Sequence, residues 1–132
     1  MTDDRAVEVQ TAVRLLMTTD STLMTTLGVD EVYDVVPSDA SFPYIRVSDM
    51  NIVAQAIKVE DWFDYFITLH IWSQNDGTAE TRNILSRLYE LFHRQEITVA
   101  GTNLSSYVLN SLVTGDPDGV THHGIIRLRL VD

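Results

Sequence analysis

The segment from Trp62 to Trp72 constrains the fold more than any other part of the chain, because its side chains alternate in character throughout. Successive side chains of a β-strand point to opposite faces, so every second residue shares a face. One face of this predicted strand is purely apolar and is expected to lie under helices; it carries Phe63, Tyr65, Ile67, Leu69 and Ile71. The other face mixes aromatic and polar side chains, a pattern typical of a contact surface; it carries Trp62, Asp64, Phe66, Thr68, His70 and Trp72.

Two longer segments have apolar residues at the spacing of amphipathic helices. The first helix is predicted from about Asp4 to Met17, and the second from Thr78 to His93. A short helix over Ser21–Leu27 is expected after a break and a new cap at residues 18–21. Gly28 suits the left-handed position that ends such a helix.

Short runs bounded by turn residues predict the remaining strands, which cover residues 32–36, 42–49, 97–99, 104–114 and 120–131. Residues 51–60 lack a clear period, so they are interpreted as a strand extension and a mobile connection. The order of elements predicts an α+β fold, an antiparallel β-sheet with two main helices packed on one face, in a single domain spanning residues 1–132. Several residues are expected to fix turns and bulges: Pro37, Pro43, Gly77, Gly119 and Gly124.

The chain has 132 residues and a formal net charge of −10, and its excess of acidic residues is uneven. Residues 1–64 contain twelve Asp or Glu and four Lys or Arg, whereas residues 65–132 contain seven and five. Proteins grip DNA through Lys and Arg that displace counterions from the phosphates, so this charge argues against specific DNA binding. It favours plain solubility or a surface that lies near DNA without adhering to it.

The residues do not converge on a catalytic or ligand site. The sequence contains no Gly-x-Ser-x-Gly motif, no glycine-rich phosphate loop and no cysteine. His122 and His123 would point to opposite faces of a strand, and His70 is expected to be a hydrogen-bonded histidine at a packed surface. No stretch approaches the roughly 18 apolar residues of a membrane span. The sequence therefore predicts a protein that is not an enzyme and has no catalytic residue, cofactor, metal or membrane partner.

Five short motifs follow one another along nearly the whole chain: Asp20–Leu23, Val32–Pro37, Phe42–Ile45, Thr68–Ser73 and Asp116–Gly124. Each motif is short, and the order and spacing of the set make it informative. Together they resemble the tail-completion proteins, also called tail terminators, of long-tailed bacteriophages and phage-like particles such as prophages and gene transfer agents.

The resemblance implies a small structural subunit of the virion that forms a ring, expected to be a hexamer. The ring would cap the end of the tail tube at the tail–neck junction and join the tube to the neck, or head-completion (stopper), protein. DNA would pass through its centre without specific binding, and assembly would take place in the cytoplasm of the host bacterium. The residues leave one alternative open, a small non-enzymatic adaptor that binds proteins outside a virion; sixfold assembly would distinguish the two.

Two sets of residues are candidates for roles in such a ring. Segment 50–61 is expected to project as a hairpin or arm that orders against a neighbouring subunit or the tube. The interface candidates are Met50, Ile52, Val53, Ile57, Lys58, Trp62, Phe66 and Trp72. Because several copies multiply any local excess of acid, the channel is expected to be net negative, with the candidates Asp49, Glu60, Asp61 and Asp64. The opposing outcome is a channel that is neutral or lined by Arg127 and Arg129.

Overall fold

The computed structural model describes residues 5–57, 60–75 and 77–131, and of residues 56, 57, 60 and 61 it describes the backbone alone. Its helical elements are α1 (Ala6–Thr18), a π-helical segment (Thr22–Thr26) and α2 (Ala79–Phe92). The strands of the described residues are β1 (Val32–Tyr33), β2 (Tyr44–Ile57), β3 (Glu60–Ser73), β4 (Gln95–Val99), β5 (Thr102–Gly115) and β6 (His122–Val131). They form one six-stranded sheet in the order β1-β2-β3-β6-β5-β4.

The sheet is antiparallel except at one edge. Each neighbouring pair runs antiparallel apart from β1 and β2, where Val32 and Tyr33 pair in parallel with Ile45 and Arg46. The predicted α+β fold is therefore confirmed, with one parallel pair that the sequence did not indicate. The predicted strand over residues 32–36 is only two residues long, because the chain must leave the sheet and loop back before β2 can begin beside β1.

The core lies between the sheet and the helical elements, which pack on one face of it. The apolar face predicted for the central strand is confirmed, since Tyr65, Ile67, Leu69 and Ile71 are at most 2% exposed. The helices contribute Val9, Val13, Met17, Ile84, Leu85, Leu88 and Phe92 to the same cluster. Burying a large apolar side chain is worth about 1.5–3 kcal/mol relative to leaving it in water, so this face supplies much of the stability.

A single carboxylate, Asp20, fixes the N-terminal helical region to α2. Its Oδ2 accepts a hydrogen bond from the Leu23 N–H at 2.9 Å, which confirms the predicted cap. Arg87 donates to the two carboxylate oxygens from Nε at 2.8 Å and from Nη2 at 2.6 Å. This guanidinium holds the pKa of Asp20 below its usual value. Gly28 follows with a φ of +71°, as the predicted left-handed position requires.

Gly124 does not form a turn or bulge, so that expectation was wrong. It lies within β6 beneath α2, where a Cβ atom would be 2.8 Å from Thr81 Cγ2 and 3.4 Å from Ile71 Cβ. The missing side chain lets α2 lie close to the sheet. Gly77 and Gly119 do have positive φ values, of +70° and +71°, as turn positions favour.

Residues 51–57 belong to β2, which confirms the predicted strand extension and leaves no mobile connection in this part of the chain. β2 pairs with β3 as far as Ile57 opposite Glu60, and Gln55 lies opposite Trp62. The regularity comes from this cross-strand pairing, which no local period in residues 51–60 reveals. Lys58 and Val59, between the two strands, lie outside the described residues.

Candidate functional site

The sheet face opposite the helices is uncovered and mixes aromatic, polar and basic side chains; we call it the open face. Its central strand contributes Trp62, Asp64, Phe66, Thr68, His70 and Trp72. Arginines lie beside this row, with Arg46 of β2 opposite His70 and with Arg127 and Arg129 of β6 opposite Thr68 and Phe66. Trp62 is 46% exposed. The mixed face predicted from the alternation of β3 is therefore confirmed.

Three stacked rings occupy one end of the open face. His70 Nδ1 and His123 Nε2 lie 2.7 Å apart, within hydrogen-bond distance. The indole of Trp72 stacks on His123 with ring centroids 3.8 Å apart and an interplanar angle of 9°. Burial lowers the pKa of both His70 and His123, which favours neutral rings of which one donates and the other accepts. The prediction that His70 is a hydrogen-bonded histidine at a packed surface is confirmed.

Asp64 has charged and polar partners within the subunit. Its Oδ2 accepts hydrogen bonds from Arg129 Nη2 at 3.1 Å and from Gln55 Nε2 at 3.4 Å. The residue is only 8% exposed. These contacts tie β2, β3 and β6 together on the open face. Because Arg129 compensates the carboxylate, Asp64 adds little net charge to its surroundings, and its role in a channel stays a prediction.

The hairpin formed by β2 and β3 extends past the rest of the sheet. Among the described residues, β6 pairs with β3 only as far as Asp64, which lies opposite Val131. Residues 60–63 therefore pair with β2 alone. Four residues of strand span about 13 Å at about 3.3 Å each. This is the shape expected of segment 50–61, although its contact with a neighbouring subunit or the tube stays a prediction.

The interface candidates divide between the two faces of the hairpin. Met50 and Ile52 are partly buried against the core on the covered side, so their apolar character is explained by packing within the subunit. Four candidates lie on the open face instead: Val53, Trp62, Phe66 and Trp72. Ile57 ends β2, and Lys58 lies outside the described residues. The structure thus brings half of the set together on one surface.

The remaining acidic candidates lie at two levels of the hairpin. Asp49 is exposed at an irregularity in β2, where the register with β3 shifts between Ser48 and Met50. The backbones of Glu60 and Asp61 begin β3 at the hairpin tip. The channel role of these three residues stays a prediction.

Two surface features were not selected from the sequence. Arg46 joins the open face because it lies in β2 beside the centre of β3, and strand pairing cannot be deduced from a single sequence. The edge of β5 also went unnoticed, although Leu109 and Leu112 are 51% and 40% exposed there. The signal available was the lack of any charged residue or proline in residues 103–115, which is atypical of a protected edge strand.

The described residues contain no group of three or more His, Asp or Glu side chains that could hold a metal ion. An open groove of about 480 Å³ lies between α2 and β5, lined by Arg82, Leu85, Ser86, Tyr89, Glu90 and Ser111. None of the described helices is long and apolar enough to cross a membrane.

Comparisons with known proteins agree with this arrangement. The sequence model of the family described as "Tail completion protein gp17" matches residues 11–131. Tail completion protein gp17 of Bacillus phage SPP1 is 29% identical over 104 residues, which cover 76% of this chain and 75% of that protein.

Two solved structures share the fold. A chain of the virion of a native gene transfer agent (GTA) particle superposes with a TM-score of 0.86 over 98% of both chains, at 14% identity. The bacteriophage SPP1 gp17 protein superposes with a TM-score of 0.68 over 96% of this chain and 90% of that one, at 23% identity. Since the family match covers nearly the whole chain, the protein belongs to the tail-completion protein gp17 family and is a structural protein of the phage tail, not an enzyme.

Proposed function

We propose that this protein forms a hexameric ring that caps the tail tube and joins it to the neck protein, with DNA passing through the centre of the ring. The observation that carries the proposal is the family match over residues 11–131. The fold shared with a chain of a gene transfer agent virion supports it. Each subunit contributes one domain, residues 1–132, to a ring at the tail–neck junction that assembles in the cytoplasm of the host bacterium.

The open face supports a role in protein contacts. Aromatic side chains and arginine are enriched at the buried centres of protein interfaces. Phe66 lies opposite Arg129 on this face, and Trp62 lies on the same face of β3 nearer the hairpin tip. The hairpin tip extends beyond the sheet at the same end. We assign this end of the subunit to the contact with the tail tube or an adjacent subunit.

Electron microscopy of particles tests the ring. In particles from cells that express the chain, we expect sixfold density for this protein between the last tube ring and the neck. In cells that lack it, we expect tails without a defined end and heads without attached tails. Normal particles in its absence would contradict the proposal and favour the adaptor outside the virion.

Shortening the β2–β3 hairpin tests whether its tip is needed for the proposed contact. Val53 and Asp64 are cross-strand partners, so replacing residues 54–63 by Asn-Gly closes the hairpin with a two-residue turn. We expect a folded subunit that no longer terminates tails, because the sheet and helices are retained while the tip is lost. The matched control replaces Ala100-Gly101, which already form the two-residue turn between β4 and β5, by Asn-Gly. Normal tails from the shortened protein would remove the tip from the contact surface.

The channel is proposed to be net negative through Asp49, Glu60 and Asp61. Repulsion of the phosphates would let DNA slide, whereas lysine would add salt-sensitive attraction. Replacing the three acids by lysine is expected to slow DNA ejection, and more so at low salt, without changing tail length. The control is Asp34→Lys, in the exposed loop after β1. Equal ejection rates for the triple variant and the control would contradict an acidic channel.

A further inference from the structure

The outer edge of β2 is free along most of its length. β1 pairs only with Ile45 and Arg46, so within the described residues β2 has no neighbour on that side from Val47 to Ile57. The irregularity at Asp49 interrupts this edge near its start. Residues 50–57 then form a regular free edge eight residues long.

The outer edge of β5, on the other side of the sheet, is free in a similar way. β4 pairs with β5 only as far as Ser106. Beyond Ser106, the outward-facing amide of Val108 donates to His93 Nδ1 at 3.1 Å. The register shifts between Val108 and Asn110. Within the described residues, positions 110–115 then form a regular free edge six residues long.

Neither free edge carries the features that usually prevent strand pairing. Natural sheets protect exposed edges with charged side chains, proline or bulges. The two irregularities stand at the start of the free edges, and residues 50–57 and 110–115 contain no charged residue and no proline. Five of the six residues in 110–115 are exposed. Two uncharged regular edges on one sheet favour occupation by added strands.

We propose that these two edges pair with each other between neighbouring copies of this chain, so that residues 50–57 of one subunit extend the sheet of the next at its residues 110–115. The inference rests on the proposed ring, because a ring needs two different surfaces on each subunit that meet head to tail. The strand directions allow it. Three antiparallel steps separate β2 from β5 in the sheet, so the two strands run in opposite directions and would continue the antiparallel pattern.

The side chains favour one register. With Met50 opposite Gly115 of the neighbour, Ile52 lies opposite Val113, and both of these side chains belong to the covered side, where they pack against the core of their own subunit. One position further along, Val53 lies opposite Leu112 on the open face. The polar residues also match, since Gln55 lies opposite Asn110. A shift by one residue would place covered-side residues opposite open-face residues, which the period of two forbids.

The same register gives an offset between neighbouring subunits that fits a closed ring of strands. Met50 is level with Leu128 of β6 and Gly115 is level with His122, so neighbouring subunits are offset by six residues along the strands. That offset is about 20 Å, and four strands are about 19 Å wide. The strands would tilt by about 45° from the ring axis, at the upper end of the 35–45° range of closed barrels. The free edges therefore lie where a closed wall needs them.

Disulfide trapping tests the pairing. Because the sequence contains no cysteine, only the introduced cysteines can form disulfides. Directly opposed residues have Cβ atoms about 4.5–5.5 Å apart, so the closest pairs are within reach of a disulfide and all are within reach of a short bifunctional thiol-reactive cross-linker. We expect oxidised particles of the Val53→Cys/Leu112→Cys double variant to give a ladder of covalent oligomers that ends at the full ring. The matched control is Val53→Cys/Ser111→Cys, which places the two thiols on opposite faces and should give no ladder.

The outcomes separate this inference from the proposed function. Rings that form normally but show no ladder with Val53→Cys/Leu112→Cys would overturn the edge pairing and leave the ring intact. Dimers from either single variant alone would also overturn it, because they require like edges to meet. Tails without any ring of this protein would overturn the proposed function as well.

A charge variant provides a second readout that does not depend on cross-linking. Val53→Lys places a charge on the free edge of β2, so we expect an unchanged melting temperature and loss of rings from tails. Val35→Lys is the control, because Val35 is 79% exposed in the loop after β1. Normal rings with Val53→Lys would count against the pairing.

Discussion

The two faces of the sheet are made by the same strands but are held in different ways. On the covered face, the β3 side chains from Tyr65 to Ile71 are at most 2% exposed and Gly124 lets α2 lie against the strands. On the open face, the side chains hold one another through ring stacking and the Asp64–Arg129 ion pair, and Trp62 remains 46% exposed. The comparison assigns stability mainly to the covered face, and the open face is left for the proposed contacts with other proteins. We expect substitutions on the covered face to reduce stability most and substitutions on the open face to reduce it least.

The largest effect is expected from Leu88→Asp. Leu88 is fully buried between α2 and the sheet, and an aspartate there would be an unpaired charge in the core. We expect a loss of several kcal/mol in the free energy of unfolding, about as much as the whole stability of a small domain. Leu109→Asp is the control, because Leu109 is 51% exposed on β5. Chemical denaturation of both variants measures the difference, and similar midpoints would place the core elsewhere.

A smaller loss is expected from Gly124→Ala. The added Cβ would approach Thr81 Cγ2 to 2.8 Å, so α2 must move or the strand must shift. Such overpacking costs about 1–3 kcal/mol. The Thr81→Ala/Gly124→Ala double variant removes the clashing methyl and should recover part of the loss. A double-mutant cycle by denaturant unfolding measures this recovery, and strictly additive losses would contradict the close contact.

Leu88 and Gly124 show which features of the fold can be predicted from the sequence and which cannot. The spacing of Leu88 within the predicted helix and the alternation of β3 identified the covered face, because both patterns are local in sequence. The clash at Gly124 depends on a helix that begins more than forty residues earlier, so its glycine was assigned to a turn instead. The same limit hid the parallel pairing of Val32 with Ile45 and the Asp64–Arg129 pair. Contacts between distant segments require the fold itself.

The Asp20–Arg87 ion pair joins the N-terminal helical region to α2, and we expect its loss to have a smaller effect. Arg87 and the Leu23 N–H hold the pKa of Asp20 below its ordinary value of 3.8. A lowered folded-state pKa means that the carboxylate stabilises the fold above pH 3.8 and that this contribution is lost as pH falls through the lowered pKa. At neutral pH, Asp20→Asn is expected to cost about 1–2 kcal/mol, since partial exposure weakens a charged hydrogen bond.

The measurement is the free energy of unfolding of both proteins between pH 7 and pH 2. The gap between wild type and Asp20→Asn should close at the acid end. Asp39→Asn, in the exposed loop after β1, is the control and should change little at any pH. If the difference in the free energy of unfolding stayed constant down to pH 2, Asp20 would stabilise the fold through its packing and not through its charge.

The smallest effect is expected on the open face, at His70 and His123. Burial lowers the pKa of both rings, with Asp49, Arg46 and Arg127 around His70 and Asp116 near His123. Below the ordinary histidine pKa of 6.5 the unfolded chain binds protons that these folded rings do not, so stability should decrease as pH falls from 7 through that value towards the lowered pKa.

The His70→Gln/His123→Gln variant removes both titrating rings and should lose most of this slope while keeping most of its stability at pH 7. Asp20→Asn is the internal control, because its titration lies at lower pH and its slope between pH 7 and 5 should match wild type. A double variant as unstable at pH 7 as Leu88→Asp would break the division between the faces, because the open face would then hold the fold together as strongly as the covered one.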